Sequence, residues 1–103
     1  MTSKYHNRKT VIDGIRFDSK REAERWCELR LLEKAGRIEN LRRQVAFELI
    51  PKSRHGRSIR YIADFVYLEN GETVIEDAKG VRTDVYRLKK RLMAEQGKEI
   101  REV

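Results

Sequence analysis

Cysteine is almost missing from this chain. Cys27 stands alone, which excludes an intrachain disulfide and any zinc site assembled from several thiolates. Its place in a helical apolar pattern gives it the character of a buried small hydrophobe. The two histidines, His6 and His55, have no second His or Cys at ligand spacing. No apolar run approaches the ~20 residues of a membrane-crossing helix, and no signal-peptide pattern of charge, apolar segment and cleavage site is found. The expectation is a cytoplasmic protein without a membrane partner. Repeats, low-complexity tracts and linkers long enough to separate domains are lacking as well, and 103 residues fill one compact core at most.

What is plentiful is charge, at 40% of residues beside 39% hydrophobic ones. The apolar residues recur periodically, which argues for a folded chain. Lys and Arg number 24 against 17 Asp and Glu, giving a net charge of +7 and a pI near 9.8. Such a surface favours a polyanionic partner, with nucleic acid the first candidate.

Residues 1–9 hold Lys4, Arg8 and Lys9 without an apolar pattern and read as a mobile basic arm. Thr10 to Phe17 forms two β-prone runs around Asp13-Gly14, a hairpin signal. A helix is expected from Ser19 to Ala35, with Ser19 as N-cap, Glu22 at the capping-box position and Gly36 as the stop. Trp26, Leu29 and Leu32, widened by Ala23, Cys27, Leu31 and Ala35, should face a sheet. Val45, Phe47 and Leu49 alternate as in a strand that Pro51 closes. The polar connection from Pro51 to Arg57 reads as mobile. Two further strands, about Ser58 to Glu69 and Glu72 to Ala78, flank Asn70-Gly71, a strong hairpin turn. A second helix should begin near Thr83 or Asp84, bury Val85, Leu88 and Leu92, and stop at Gly97. Ile100 and Val103 suggest a last edge strand.

The Asn70-Gly71 turn fixes a register. Glu69 then faces Glu72, and counting outward places Val66 opposite Ile75 and Asp64 opposite Asp77. Opposed side chains lie ~4.5–5.5 Å apart at Cβ, and two like charges so placed destabilise the pair unless something compensates. A divalent cation would do so. Lys79 projects on the face of Asp77, and Glu76 on the other face, toward solvent or a basic partner.

An acid on one strand followed, after a hairpin, by Asp77-Ala78-Lys79 resembles the PD-(D/E)XK nuclease superfamily. Asp64, in Ile62-Ala63-Asp64-Phe65, matches the first acid, Asp77 the second and Lys79 the lysine; Ala63 stands where the family's usual proline would be. Glu22 occupies the place from which the preceding helix contributes another carboxylate in many members. The resemblance spans residues 10–103 and is closest to small phage-borne members and the Holliday-junction resolvase branch. It implies an α+β single domain with the restriction-endonuclease-like αβββαβ core, here preceded by a β-hairpin, and a mixed sheet flanked by two helices. It further implies a Mg²⁺-dependent endodeoxyribonuclease, with Mn²⁺ as a substitute, in a bacterial or phage-infected cell.

On that reading Asp64, Asp77 and the main-chain carbonyl of Ala78 ligate the metal, Glu22 holds a metal-bound water or second ion, and Lys79 orients water or offsets phosphoryl charge. Gln44, just before a strand, is a supporting neighbour. Residues 79–91 carry six cations against Asp84 alone. With Arg57, the residues Arg82, Tyr86, Lys89 and Lys90 form the candidate DNA surface. No base-reading module is visible, so recognition through backbone or shape is expected. The competing reading is a basic module that holds nucleic acid without cutting it. Symmetric cleavage of duplex or junction by a one-site domain calls for a homodimer.

Overall fold

The computed structural model describes residues 9–78 and 82–103. The chain order is β1 (Thr10–Ile12), β2 (Ile15–Phe17), α1 (Lys20–Lys34), β3 (Glu39–Ile50), β4 (Ile59–Glu69), β5 (Glu72–Asp77), α2 (Asp84–Glu95) and β6 (Ile100–Glu102). β1 and β2 form a separate antiparallel hairpin, while the main sheet has the order β3-β4-β5-β6. Its first two pairings are antiparallel, and β6 runs parallel to β5 because α2 carries the chain back between them. This is the expected α+β architecture of a mixed sheet with two helices and an N-terminal hairpin. Residues 1–8 of the expected basic arm lie outside the described residues.

The turns behave as their residues require. Asn70 and Gly71 take φ of 53° and 80°, the left-handed pair of a two-residue hairpin, and Glu69 faces Glu72 as counted from the sequence. Ser19 caps α1 by accepting the Glu22 N–H at 3.1 Å. The buried stripe of α1 is narrower than expected, running through Glu22, Ala23, Trp26 and Leu29. Cys27 and Leu31 are exposed instead of buried. At about 100° per residue they fall beside the face occupied by Trp26, and a single sheet surface covers only one stripe.

The sheet has a core on each face. Phe65, Tyr67 and Val74 join Phe17, Ala23, Trp26, Leu29 and Ile38 beneath α1. Tyr61, Ala63, Val66 and Ile75 join Leu49, Tyr86, Met93 and Ile100 beneath α2. Ala63 and Phe65 therefore face opposite cores although two residues apart, where a regular strand would put them together. The same reversal occurs on β3: the Arg43 guanidinium lies over Phe17, whereas Val45 packs with the α2 core. Between Arg43 and Val45 stands Gln44 with φ of 51°. The reversal, centred on the left-handed backbone of Gln44 opposite Asp64, lets one ribbon serve both cores.

α2 departs from expectation in its rotation. Thr83 caps it by accepting the Tyr86 N–H at 3.1 Å, yet Tyr86 and Met93 are the buried residues. Val85 and Leu88 are 63% and 59% exposed. Periodicity allows both stripes, and the Tyr86 ring wins because its bulk fills the space beside Tyr61 while its hydroxyl donates to Glu102 at 2.7 Å. The segment after Pro51, expected to be mobile, has a defined turn: Ser53 and Gly56 exchange backbone hydrogen bonds of 3.0 and 3.2 Å, closing the β3–β4 hairpin.

One ion pair ties α1 to β5. Arg25 forks onto Glu76, with Nε to Oε1 at 2.8 Å and Nη2 to Oε2 at 2.7 Å, and Tyr67 donates its hydroxyl to the same carboxylate. Glu76 is fully buried, so it meets a basic partner and no solvent. Removing Arg25 leaves an uncompensated buried carboxylate. We expect Arg25→Met to lower stability by ~3–5 kcal/mol, with Arg25→Met/Glu76→Leu recovering much of that loss. Urea midpoints of the three proteins check this; equal midpoints for the single variant and wild type would refute it.

Candidate active site

Three carboxylates and an amide meet where the ribbon reverses. Glu22 arrives from the first turn of α1 and is 5% exposed. Its side chain does not return to the Ser19 N–H as a capping box would have it. Instead Oε1 accepts Gln44 Nε2 at 3.3 Å and lies 3.8 Å from Arg43 Nη2. Gln44 also reaches Asp64 Oδ1 at 3.4 Å. With Arg43 facing Phe65 and Val45 facing Ala63, the ladder sets Gln44 directly across from Asp64. The left-handed backbone at Gln44 thus presents one amide to two acids.

Asp77 closes the group from β5. It is fully buried and accepts the Tyr61 hydroxyl on the α2 side of the sheet. Asp64 and Asp77 are close enough for each to disfavour the other's charge. Asp64 Oδ2 in addition accepts the Ala78 N–H at 2.9 Å. That bond uses the residue just beyond β5 to pin Asp64 against the Asp77-Ala78 backbone. Phe65 faces Glu76 in the hairpin, so Asp64 and Asp77 are the next residues along their strands.

The electrostatics follow from burial and like charge. Asp64 is pushed up to about 8, first by desolvation and then by its hydrogen bond to, and repulsion from, Asp77. Glu22 is also raised, by desolvation first and by Asp18 next, with Arg43 opposing. A cluster of this kind favours binding a cation or a proton over standing fully ionised.

Of the residues expected at the centre, Glu22, Asp64, Asp77, Ala78 and Gln44 come together, while Lys79 lies outside the described residues. Arg43 and Tyr61 were not foreseen. Arg43 sits 4.5 Å from the Phe17 ring centroid and 5.8 Å from that of Trp26, beside Glu22. A cation within an alternating strand pattern, next to Gln44, was the available signal. The expected DNA surface is redistributed. Arg57 is exposed on the β3–β4 hairpin and Lys89 is half-buried. Arg82 and Lys90 pair with Glu102 at 2.7 and 3.2 Å. Tyr86 is a core residue at 6% exposure, which corrects its reading as a surface contact.

The donor set suits a hard divalent ion. Asp64 and Asp77 are two carboxylates held together, the usual protein share of a Mg²⁺ site whose other positions are waters. Among the described residues no three His, Cys, Asp or Glu side chains form a ready-made cage. Glu22 is joined to the pair through Gln44.

Fold and site thus define a small α+β domain with a buried carboxylate cluster at a sheet reversal. Residues 2–103 match the family described as "Protein of unknown function (DUF1064)", and the chain belongs to that family. No curated protein and no solved structure matches it.

The raised carboxyl gives a pH dependence of definite sign. Below about pH 4 Asp64 is protonated folded or unfolded; from there to about pH 8 only the folded state retains the proton. The folded state binds more protons in that window, so this group's stabilisation, full below pH 4, is lost as pH rises toward 8. We expect metal-free Asp64→Asn protein to lack this decline. Melting temperatures of both proteins across pH 4–9 test it, and parallel curves would count against the raised carboxyl.

Proposed function

We propose that this chain is a Mg²⁺-dependent endonuclease of the PD-(D/E)XK type that hydrolyses DNA phosphodiester bonds, nicking or structure-specific, in phage DNA replication or recombination. The observation that carries the reading is the Gln44 amide bridging Glu22 and Asp64, with Asp64 held on the Ala78 N–H beside Asp77. Asp64, Asp77 and the Ala78 carbonyl would hold Mg²⁺, or Mn²⁺ in its place. Such an ion supplies neutralisation of the phosphoryl oxygens and water of lowered pKa.

The chain's own groups have separable tasks. Tyr61 donates to Asp77 and fixes its carboxylate. Gln44 keeps Glu22 and Asp64 at one distance, and Glu22 would hold a metal-bound water or a second ion. Lys79, two residues beyond Asp77, offsets the negative charge that develops on the phosphoryl group. The net charge of +7 supports DNA as partner. A homodimer supplies two sites for the two strands of a duplex or junction. Among the described residues no helix is long and apolar enough to cross a membrane.

Linear, nicked, single-stranded and four-way-junction DNA, each incubated with Mg²⁺, Mn²⁺ or EDTA, test the reading. Cleavage should require the metal. Asp77→Asn and Lys79→Ala should each lower it by at least on the order of 10²–10³ while far-UV circular dichroism stays that of wild type. Glu22→Gln should reduce turnover per folded molecule more than it reduces stability. Wild-type turnover by purified Asp77→Asn protein would sink the site. Light scattering, with and without a junction, should give a dimer mass; a monomer in both states that only nicks would remove the dimer and leave the nuclease.

A further inference from the structure

Beyond the sheet, β3 and β4 continue as a two-stranded arm. Ile50 faces Ile59, and the Ser53–Gly56 bridge keeps the same register farther out. Arg54 and His55 make the turn, and Ser53 Oγ accepts the His55 N–H at 3.1 Å, so the tip has a built conformation. From Leu49 to Ala63 the chain contains no acidic residue. Lys52, Arg54 and Arg57 are all exposed there, and among the described residues none of them forms an ion pair. At and before α2 several cations are already engaged: Arg82 and Lys90 are held by Glu102, and Arg87 lies 3.4 Å from Asp84. At the neck of the arm Ile50 and Ile59 are 44% and 43% exposed.

We propose that the β3–β4 arm is a duplex-binding ribbon that seats in a groove of DNA, with Lys52, Arg54 and Arg57 on the phosphates and Ile50 and Ile59 against the groove wall. A two-stranded antiparallel ribbon fits the major groove of B-DNA. Its cations carry no competing carboxylate, so each phosphate contact releases counterions without first breaking an ion pair. His55 is nine residue steps from Asp64; at ~3.3 Å per step the tip reaches up to roughly 30 Å from the carboxylate cluster, close to one turn of duplex. The arm would therefore grip DNA nearly one turn away from the bond presented to the cluster. This inference rests on the proposed function for the identity of the polyanion, and it concerns binding without requiring cleavage.

The test is fluorescence anisotropy of a labelled 30-base-pair duplex titrated with the full chain in EDTA, between 50 and 200 mM KCl. The variant Lys52→Gln/Arg54→Gln/Arg57→Gln should bind about 10–100-fold more weakly at 100 mM, with a salt slope shallower by roughly 3. Arg57→Gln alone should give about a third of that slope change. Arg87→Gln/Arg91→Gln, on α2, should stay within about threefold of wild type, and thermal melts establish that each variant is folded. Wild-type affinity and slope in the folded arm variant would overturn the proposal. So would arm-dependent binding to phosphatidylglycerol vesicles that exceeds binding to duplex. Arm-dependent duplex binding by a wild-type protein that never cleaves with Mg²⁺ or Mn²⁺ would uphold the arm and remove the nuclease reading. Metal-dependent cleavage with unaltered binding by the arm variant would do the reverse.

Discussion

The Arg25–Glu76 ion pair joins the two elements on which the carboxylate cluster depends. Arg25 lies one helical turn beyond Glu22 on α1, and Glu76 immediately precedes Asp77 on β5. Holding the guanidinium fork against a fully buried carboxylate fixes the helix relative to the strand, and with it the placement of Glu22 relative to Asp77. A buried ion pair adds little net stability over well-packed apolar residues, because desolvation offsets most of the attraction. Its use here is geometric. Tyr67 completes the carboxylate's hydrogen bonding, and Arg101 approaches the same hydroxyl at 3.4 Å from β6, so α1, β4, β5 and β6 share one polar anchor.

Around that anchor the sheet does two jobs that a regular ribbon could not combine. Its α1 end needs Phe65 and Arg43 on one face, and its α2 end needs Ala63 and Val45 on the other. The reversal at Gln44 and Asp64 satisfies both cores. It also leaves those two side chains between the cores, where an amide and a carboxylate can reach Glu22 and Asp77. The cost is electrostatic: burial and crowding disfavour the charged form of these acids, so Asp64 is raised. Arg43, stacked on aromatic rings beside Glu22, offsets some of it.

Charge is distributed by the same logic. The net positive balance says little about where a polyanion would lie, because cations near carboxylates are already engaged. Glu102 alone engages both Arg82 and Lys90, and Arg82, Tyr86 and Lys90 together hold its carboxyl down to about 2. The acid-free stretch around the β3–β4 tip has no such competitor.

Much of this molecule was written in local sequence. Asp13-Gly14 and Asn70-Gly71 specify their turns because few other residue pairs accept two successive positive φ angles, and a two-residue turn fixes every pairing outward from it. The meeting of Asp64 with Asp77 follows from that register, and Ser19 and Thr83 mark the helix starts because their hydroxyls satisfy backbone N–H groups left free there. Tertiary packing decided the rest. Periodicity could not choose between the Val85-Leu88 and Tyr86-Met93 stripes of α2, since both recur at helical spacing and only the space beside Tyr61 selects one. Nor could alternation foresee that Glu76 would be buried against Arg25, fifty-one positions away in the chain, or that Gln44 would take a left-handed backbone. These features arise from two cores competing for one ribbon, a constraint that exists only once distant segments are packed together.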